Sequence, residues 1–506
     1  MAREIAHVLV KLLENLTADL IEHRFDDRTG DVQPHFLSSL QIEWLRSFNE
    51  DDKVYCEFEK PSIGATVTND LEQPLLGTGT WRDNRPRFRE TLCTALRYGS
   101  AMVLSGILIG ALGVGMLYAS WTACPYCPSF PRGQLAQPDL VKCEMNTLAG
   151  ILTIHFLFLV NLLFVFGWSR LRQCWAIEIA LCAFLLDIVY RALLLLFREE
   201  ADTLRVSNKA RIPLHFLVVI SYLCQGYTLG RLVFSEAKKQ AMLAIKLVAP
   251  CLSTGAICYT FFLGIFPLYN KTSSPWGRFL IASFSPVVGS VIRSVIRIIV
   301  QRLYYVNHPG TSFALMVYPY LTSALLFRLL QADLESLEWI ALVGVLHGVV
   351  GVLERSTIVL RDHIDNQLYE RHLAPVGAFR TPRSERLTAD TAVLGMVVET
   401  AAIVASSGSV FLYTVLYEPG KINAGFLRTC AVTILIQVTI EWVFTSASLA
   451  VETHYQNMAV FTIWRKRRLF HCVVITCHFL LGVYFFSLYL RVQTNPQMTG
   501  LTCLEH

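Results

Sequence analysis

Eleven long apolar stretches occupy most of the chain after residue 97. A helix needs about 20 residues to cross the hydrocarbon core of a bilayer, which is about 30 Å thick, and each stretch is close to that length or longer. Backbone polar groups in lipid must bond within their own segment, as they do in a helix. We therefore predict an all-α polytopic membrane protein with about 11 transmembrane helices, at 98–119, 147–168, 174–197, 212–234, 241–269, 279–300, 311–331, 337–354, 392–417, 426–451 and 469–490.

The composition fits a chain that is mostly embedded in lipid. Hydrophobic residues make up 53 % of the chain and charged residues 16 %, against roughly 25 % charged residues in soluble domains. The formal net charge of +5 is too small to indicate a nucleic-acid partner, whereas the apolar stretches indicate the lipid bilayer. We expect a small cytoplasmic N-terminal region at 1–97, a helix bundle at 98–490 and an extracytoplasmic tail at 491–506.

Basic residues near the ends of the spans predict the orientation of the bundle. Lys and Arg that flank spans are retained in the cytoplasm. They concentrate in the segments that lie inside when the N-terminus is cytoplasmic, above all in the long Arg-rich loop at 355–391 and in the run Arg465–Arg468. The amphipathic segment at 1–23 is too charged to insert, so we expect no secretory signal peptide.

Two features of the predicted outer segments agree with that orientation. Asn270 begins an Asn-Lys-Thr glycosylation acceptor in a short outer loop. An even number of thiols in an oxidising compartment indicates disulfides, and the outer segments hold Cys124, Cys127, Cys143 and Cys503. Four cysteines allow three pairings, and the sequence does not choose between them. Cys124 and Cys127 form a CxxC motif, but their loop is too short for a thioredoxin-like fold, so we interpret the motif as a structural clamp.

A segment of the N-terminal region resembles an acidic dileucine sorting signal, with Glu72, Leu75 and Leu76 as its candidate residues. Clathrin adaptors read such signals, so we expect the protein in the plasma membrane or in an endolysosomal or vacuolar membrane. The strict form of the signal has an acid four residues before the first Leu, where this chain has Leu71. An acidic turn with no sorting role is the alternative.

Charged residues inside spans are the candidate functional residues, because each costs several kcal/mol in lipid unless it is paired or faces water. Asp187 and Arg191 lie four residues apart in the third span and share one helical face. Glu399 and Glu441 lie well inside the ninth and tenth spans. We expect both to line one polar cavity, with the Asp187–Arg191 pair close by, and to bind a cation or exchange a proton. The alternative is that these residues only hold neighbouring helices together.

Other polar residues in the spans and loops receive structural interpretations. Arg293, Arg297 and Arg328 lie nearer span ends, where snorkelling explains them. A lone span histidine such as His347 is interpreted as a packing residue. The acidic and histidine residues around Asp362 are interleaved with arginines, which disfavour a metal ion, so we expect no metal and no cofactor. We interpret that loop as an amphipathic helix lying on the membrane.

Small residues and prolines predict how the helices meet. Gly106 and Gly110 form a GxxxG pattern in the first span, which lets two helix backbones approach closely. Pro250, Pro286 and Pro319 fall in three consecutive spans and each removes a backbone hydrogen bond. Together they predict broken helices around a cavity, a feature of many transporters.

No motif in the chain identifies a substrate. The number of spans, the prolines and the acidic span residues favour a secondary transporter that moves a small solute or ion, with coupling to a proton or cation. An oligomeric ion channel or channel-like receptor subunit is the first alternative, and it would use the small-residue ninth span to line a pore in a homo-oligomer. A membrane-embedded enzyme acting on lipid is the second. It would need a catalytic cluster at one membrane face, so we favour a protein that is not an enzyme.

Overall fold

The computed structural model describes residues 88–123, 137–197, 212–303, 306, 309–334, 336–358, 360–362, 364, 382–454 and 460–494. Within these ranges the chain is helical and contains no strand. The α-helices are α1 (Phe88–Ala123), α2 (Gln137–Phe166), α3 (Trp168–Gln173), α4 (Ala176–Phe197), α5 (Ile212–Val233), α6 (Ala237–Thr260), α7 (Phe266–Lys271), α8 (Pro275–Gln301), α9 (Pro309–Ser312), α10 (Val317–Ala332), α11 (Leu337–Ser356), α12 (Pro382–Tyr417), α13 (Ala424–His454) and α14 (Val460–Thr494).

Ten helical segments of the described chain are long and apolar enough to cross a bilayer, which confirms the all-α polytopic class. The third predicted span is also a helix, α4, but its 22 residues carry Glu178, Asp187 and Arg191 and it is not one of the ten. An eleventh span at α4 therefore stays a prediction. Helix α1 begins ten residues before the predicted start at 98, and α12 begins ten residues before the predicted start at 392.

Helices α10 and α12 form the centre of the bundle. In an apolar stretch of 18 residues within the span at Gly310–Ala332, 94 % of the residues are buried inside the protein, and in a stretch of the same length within Arg386–Tyr417, 83 %. Helix α12 packs against α1, α10, α13 and α14, whereas α10 packs against α6, α8, α12 and α14. Charged residues in the buried parts of these two helices cannot reach the membrane surface, so each needs a partner inside the protein.

The small residues of α1 bring its backbone against α12, as the GxxxG pattern predicts. A Cβ atom added at Gly106 would lie 2.6 Å from the Cβ of Thr400, and one added at Gly110 would lie 2.7 Å from the carbonyl oxygen of Ala401. Both distances are too short for a side chain. The small-residue face of α12 is therefore filled by α1, which leaves it unable to line an open pore in this structure.

The prolines do not break the helices as expected. Helices α6 and α8 continue through Pro250 and Pro286, and Pro319 lies in the first turn of α10, where a missing backbone N–H costs little. The irregular points lie elsewhere. A π-helical turn follows α6 at Phe261–Ile265, a 3₁₀ turn precedes α10 at Phe313–Met316, and Arg467 takes a non-helical conformation inside α14.

Several predicted features fall outside the described residues. The sorting-signal residues Glu72, Leu75 and Leu76 do so, as do Cys124, Cys127 and Cys503. The fourth disulfide candidate, Cys143, lies in α2, but its side chain is not described. Asn270 lies exposed near the end of α7, just before the turn that leads into α8. Its glycosylation stays a prediction.

Candidate functional site

Within the described residues, five helices present polar residues to one cavity of about 70 Å³ inside the bundle. On α8, α12 and α13 most lining residues are three, four or seven residues apart, so they form one stripe along each helix. The polar and small residues that line the cavity are Ser290 and Arg293 of α8, Tyr320 of α10, His347, Gly348, Gly351, Glu354 and Arg355 of α11, Arg361 after α11, Thr388, Thr391, Ala392, Gly395 and Glu399 of α12, and Glu441, Thr445 and Glu452 of α13. From Glu441 to Glu452 the stripe on α13 extends about 16 Å at 1.5 Å per residue.

Arg328 of the central helix α10 joins the two glutamates that the sequence predicts to share a site. One guanidinium nitrogen, Nη2, donates to Oε2 of Glu441 at 2.8 Å and to Oε2 of Glu399 at 3.4 Å. The other, Nη1, donates to Oε1 of Gln331 at 2.8 Å. The side chain of Arg328 is only 2 % exposed. Glu399 and Glu441 therefore meet on one buried cation and also line the cavity.

Glu399 has two further partners. Nε2 of His347 lies 3.2 Å from its Oε2, and Nη1 of Arg293 lies 3.7 Å from its Oε1. The ring of His347 stacks on Phe327 with centroids 4.4 Å apart, which fixes its position beside the carboxylate. His347 is therefore part of the charged network, and the interpretation as a packing residue was incomplete.

At the other end of the cavity, Glu354 lies between two arginines. Its Oε2 accepts from Nη2 of Arg293 at 3.2 Å, and its Oε1 lies 3.6 Å from Nη2 of Arg361. Next to them Nη2 of Arg297 donates to Asp362 at 2.5 Å and to the hydroxyl of Thr388 at 2.8 Å. These contacts tie the end of α11 and the residues after it to α8 and α12.

The interpretation of Arg293, Arg297 and Arg328 as snorkelling side chains was wrong. Their side chains are 9 %, 5 % and 2 % exposed and each forms an ion pair inside the bundle. Asp362 likewise pairs with Arg297, so this part of the 355–391 loop contacts the bundle, and the buried segment Arg386–Thr391 belongs to α12. Span-end position alone does not separate a snorkelling arginine from one that turns inward.

The exposure of the ion-paired side chains falls along the cavity, whereas Glu452 of α13, which has no ion pair among the described residues, is 1 % exposed. Among the ion-paired side chains the exposure is 33 % at Arg361 and 17 % at Glu354, but 10 % at Glu399 and 2 % at Arg328. The cavity therefore opens near the end of α11 and is closed at the Arg328 end. By the Lys/Arg distribution, the end of α11 is the predicted cytoplasmic side.

Glu452 is a cavity residue that sequence reasoning passed over, as it did Glu354. Glu452 is 1 % exposed, and its Oε1 accepts a hydrogen bond from the hydroxyl of Ser448 at 2.7 Å. Its Oε2 has no hydrogen-bond partner among the described residues. Glu441, Thr445, Ser448 and Glu452 follow each other at i, i+4, i+7 and i+11. This polar stripe through an apolar helix is visible in the sequence and could have identified Glu452.

Asp187 and Arg191 do pair as predicted, but they do not line the cavity. Nε of Arg191 donates to Oδ1 of Asp187 at 2.5 Å, and Nε2 of His155 lies 3.0 Å from Oδ2. The cluster lies between α4 and α2, whereas the cavity lies between α8, α11, α12 and α13. The structure thus brings Glu399 and Glu441 together and leaves the Asp187–Arg191 pair in a separate cluster.

A third buried cluster was not anticipated from the sequence. Oδ1 of Asp390 lies 3.0 Å from Nε2 of His471, and Nε of Arg386 donates to Oδ2 of Asp390 at 3.2 Å. Nδ1 of His471 lies 3.0 Å from the carbonyl oxygen of Arg467, at the irregular point of α14. This cluster joins α12 to α14.

The chemistry of the cavity is that of ion pairs and hydrogen bonds. Among the described residues, no group of three or more His, Cys, Asp or Glu side chains is arranged to hold a metal ion. Carboxylates in the wall accept hydrogen bonds or bind cations, whereas the guanidinium groups donate or bind anions. A small charged species can therefore exchange with the groups that the wall already pairs.

Comparison with known proteins gives no relative for this chain. No family model matches it, and neither the curated proteins nor the solved structures gave a significant match.

Proposed function

We propose that the protein is a secondary transporter that moves a small ion or small charged solute through the cavity between α8, α11, α12 and α13. The observation that supports this proposal is a charged cavity inside a single chain, open near Arg361 and closed by the Arg328–Glu441–Glu399 cluster. A site that is accessible from one side and closed on the other is one of the two states of an alternating-access cycle.

The size of the cavity supports a small substrate. A buried water molecule needs about 10–15 Å³ of cavity, so the cavity of about 70 Å³ has room for several water molecules. An inorganic ion or a solute of a few heavy atoms fits this space, whereas a lipid or a large metabolite would need the helices to separate.

The charge balance of the wall favours exchange between bound species. Glu354, Glu399 and Glu441 each have an arginine within 4 Å. Each carboxylate or arginine of these pairs can therefore exchange its present partner for an incoming ion of opposite charge. Switching of ion pairs between helices is a way to link substrate binding to helix movement, because each pair spans two helices. We propose that Arg328 is the residue at which the closed end of the cavity opens.

Transport is tested with purified protein in liposomes. The probes are sodium, potassium, chloride and inorganic phosphate, each supplied under an imposed pH gradient and followed as a transport current on a solid-supported membrane. We expect a saturable current with at least one probe, reduced at least tenfold by Glu399→Gln, which keeps the shape and removes the charge. Glu418→Gln is the matched control, because Glu418 follows α12 and pairs with Lys421 outside the cavity.

The same preparation separates the alternatives. Step-like unitary currents in planar bilayers would show a channel and contradict the proposal. A current that does not saturate, or that Glu399→Gln leaves unchanged, would show that the cavity is not the pathway.

The expected location remains that of a multi-pass protein with a cytoplasmic N-terminus, in the plasma membrane or an endolysosomal or vacuolar membrane. Tags at residues 1 and 375 should be accessible from the cytoplasm, and glycosidase should shift the wild-type protein but not Asn270→Gln. Tags accessible only from the outside would invert the topology and place the mouth of the cavity outside.

A further inference from the structure

Four glutamates line the cavity, and one of them differs from the others. Glu354, Glu399 and Glu441 each lie within 4 Å of an arginine side chain. Glu452 has no ion pair within the described residues, and Ser448 is the one side chain that bonds it. Its Oε2 is buried and lacks a hydrogen-bond partner among the described residues. Among the described residues, three carboxylates of the cavity wall thus form ion pairs with arginine, and Glu452 does not.

An unpaired carboxylate is expensive at this position. Transfer of an ionised carboxylate from water into a protein interior costs several kcal/mol unless a cation or several hydrogen bonds compensate it. Glu452 is 1 % exposed and accepts one hydrogen bond from a neutral hydroxyl. Protonation removes the charge, so the neutral acid is the form that the surroundings of Glu452 favour.

The charged groups around Glu452 agree with this assignment. Helix α13 packs against α1, α11, α12 and α14. From α11, Arg355 lines the same cavity and its charge attracts Glu452, which keeps the ionised form accessible. On α12, Arg386 pairs with Asp390 and Glu399 pairs with Arg328. His454 lies on α13 itself, beside Phe88. On α14, Arg467 is half-buried and donates to the carbonyl oxygen of Gly310 at 2.7 Å. The other charged residues of α1 and α14 near this level are exposed: Arg89, Glu90, Arg97, Arg465, Lys466 and Arg468.

We infer that Glu452 is the proton-carrying carboxyl of the cavity, holding a proton at rest and exchanging it with water that enters at the mouth. In the step of release, the O–H bond of the acid breaks, its electron pair stays on the carboxylate, and the proton passes to a water molecule. Arg355 then faces the new negative charge. This inference rests on the proposed transport function, since it identifies the proton as the coupling ion.

The inference also explains the placement of Glu452 along the cavity. Glu452 lies about 16 Å from Glu441 along α13, at 1.5 Å per residue, and so at the end that opens near Glu354 and Arg361. A proton carrier near the mouth can exchange with the aqueous phase while the Arg328 end is closed. The paired glutamates at the closed end remain available for the substrate ion or for the arginines.

Infrared difference spectroscopy of the full-length protein in lipid tests the protonation directly. The spectrum of wild type minus Glu452→Gln, at neutral pH, should contain the C=O stretching band of one protonated carboxylic acid. Glu441→Gln is the matched control, because Glu441 lies on the same stripe and pairs with Arg328, so its difference spectrum should lack that band. The band of Glu452 should disappear as the pH is raised.

A second measurement uses thermal stability. If Glu452 is a neutral acid, Gln is nearly isosteric with it and still accepts the hydrogen bond from Ser448, so the Tm of Glu452→Gln should match that of wild type at neutral pH. A fall in Tm as large as that of Glu441→Gln would show an ionised, compensated Glu452 and overturn the inference. An absent band, or a band that persists at every pH, would overturn it as well.

Failure of this inference is distinguishable from failure of the proposed function. A carboxylic-acid band at Glu452 without a current for any probe would contradict the transporter and leave the protonated residue. A saturable current that Glu452→Gln leaves fully dependent on the pH gradient, with no band, would contradict the proton carrier and leave the transporter.

Discussion

Two of the buried acid–arginine clusters among the described residues differ in their position relative to the cavity. In the first, Asp187 has one carboxylate oxygen on Arg191 and the other on His155, and the partners come from α4 and α2. The second begins with Arg328, whose two carboxylate partners come from α12 and α13. The first cluster lies outside the cavity and the second forms its closed end. Both are buried, so burial alone does not mark a functional charge.

The two clusters differ in which parts of the chain their charges connect. Asp187 and Arg191 lie one helical turn apart and would meet in an isolated helix. Arg328 and Glu441 are 113 residues apart and meet only when the bundle is assembled. A cluster that bridges several helices beside a cavity changes when those helices move. A cluster confined to one helix and one neighbour is less affected by such a movement. We therefore propose a structural role for the Asp187 cluster and a functional role for the Arg328 cluster.

The largest expected effect is the loss of Arg328. Arg328→Met removes the cation that two buried carboxylates share, and removal of one partner of a buried ion pair costs about 3–5 kcal/mol. We expect the variant to lose the monodisperse peak in size-exclusion chromatography or to melt far below wild type. The control is Arg428→Met, because Arg428 is exposed near the start of α13. If both variants melt with the wild type, Arg328 does not hold the core together.

The next effect separates the two clusters by function. Asp187→Asn weakens hydrogen bonds to charged partners, which are worth about 1.5–3 kcal/mol each. We expect a lower Tm with transport currents close to wild type, whereas Glu399→Gln should lose the current. Thermal melts and current amplitudes at equal protein content give both quantities. A variant Asp187→Asn that keeps its Tm but loses transport would reverse the assignment of the two clusters.

The sequence predicts the helices well because a bilayer demands long apolar segments, and local composition is enough to find them. The same local information predicts the Asp187–Arg191 pair, whose members are four residues apart. It cannot show that Arg328 serves both Glu399 and Glu441, because that contact depends on which helices are neighbours. The role of Glu452 is only partly predictable from the sequence. Its stripe with Glu441, Thr445 and Ser448 is local, but the absence of an ion pair to arginine among the described residues appears only when the helices are assembled.

A smaller effect is expected from two glycine substitutions, one in the cavity and one in α2, the helix that contributes His155 to the Asp187 cluster. Gly351 lines the cavity and Gly150 lies in α2, and a Cβ at either position would meet no atom within 4 Å. Leu at both sites should change stability by less than about 1 kcal/mol, in the favourable direction, because Leu is a better helix former than Gly. Gly351→Leu should nevertheless reduce the transport current by filling the cavity, and Gly150→Leu should not. Equal currents in the two variants would show that the cavity is not used.

The smallest effect is expected at an exposed ion pair whose N–O distance equals that of the Arg328–Glu441 pair. Lys239 and Glu236 lie 2.8 Å apart, as do Arg328 and Glu441. The side chains of the first pair are 58 % and 60 % exposed, and those of the second 2 % and 8 %. Exposed pairs contribute about 0–1 kcal/mol, since water and salt screen both charges. Glu236→Gln should therefore leave the Tm and the transport current unchanged, and added salt should not alter that result. Glu441→Gln should lower the Tm, because Arg328 then keeps one carboxylate partner, Glu399 at 3.4 Å. If Glu236→Gln lowered the Tm as much as Glu441→Gln, then pair length rather than burial would set the strength of these contacts, and the distinction between the cavity network and the surface of the bundle would fail.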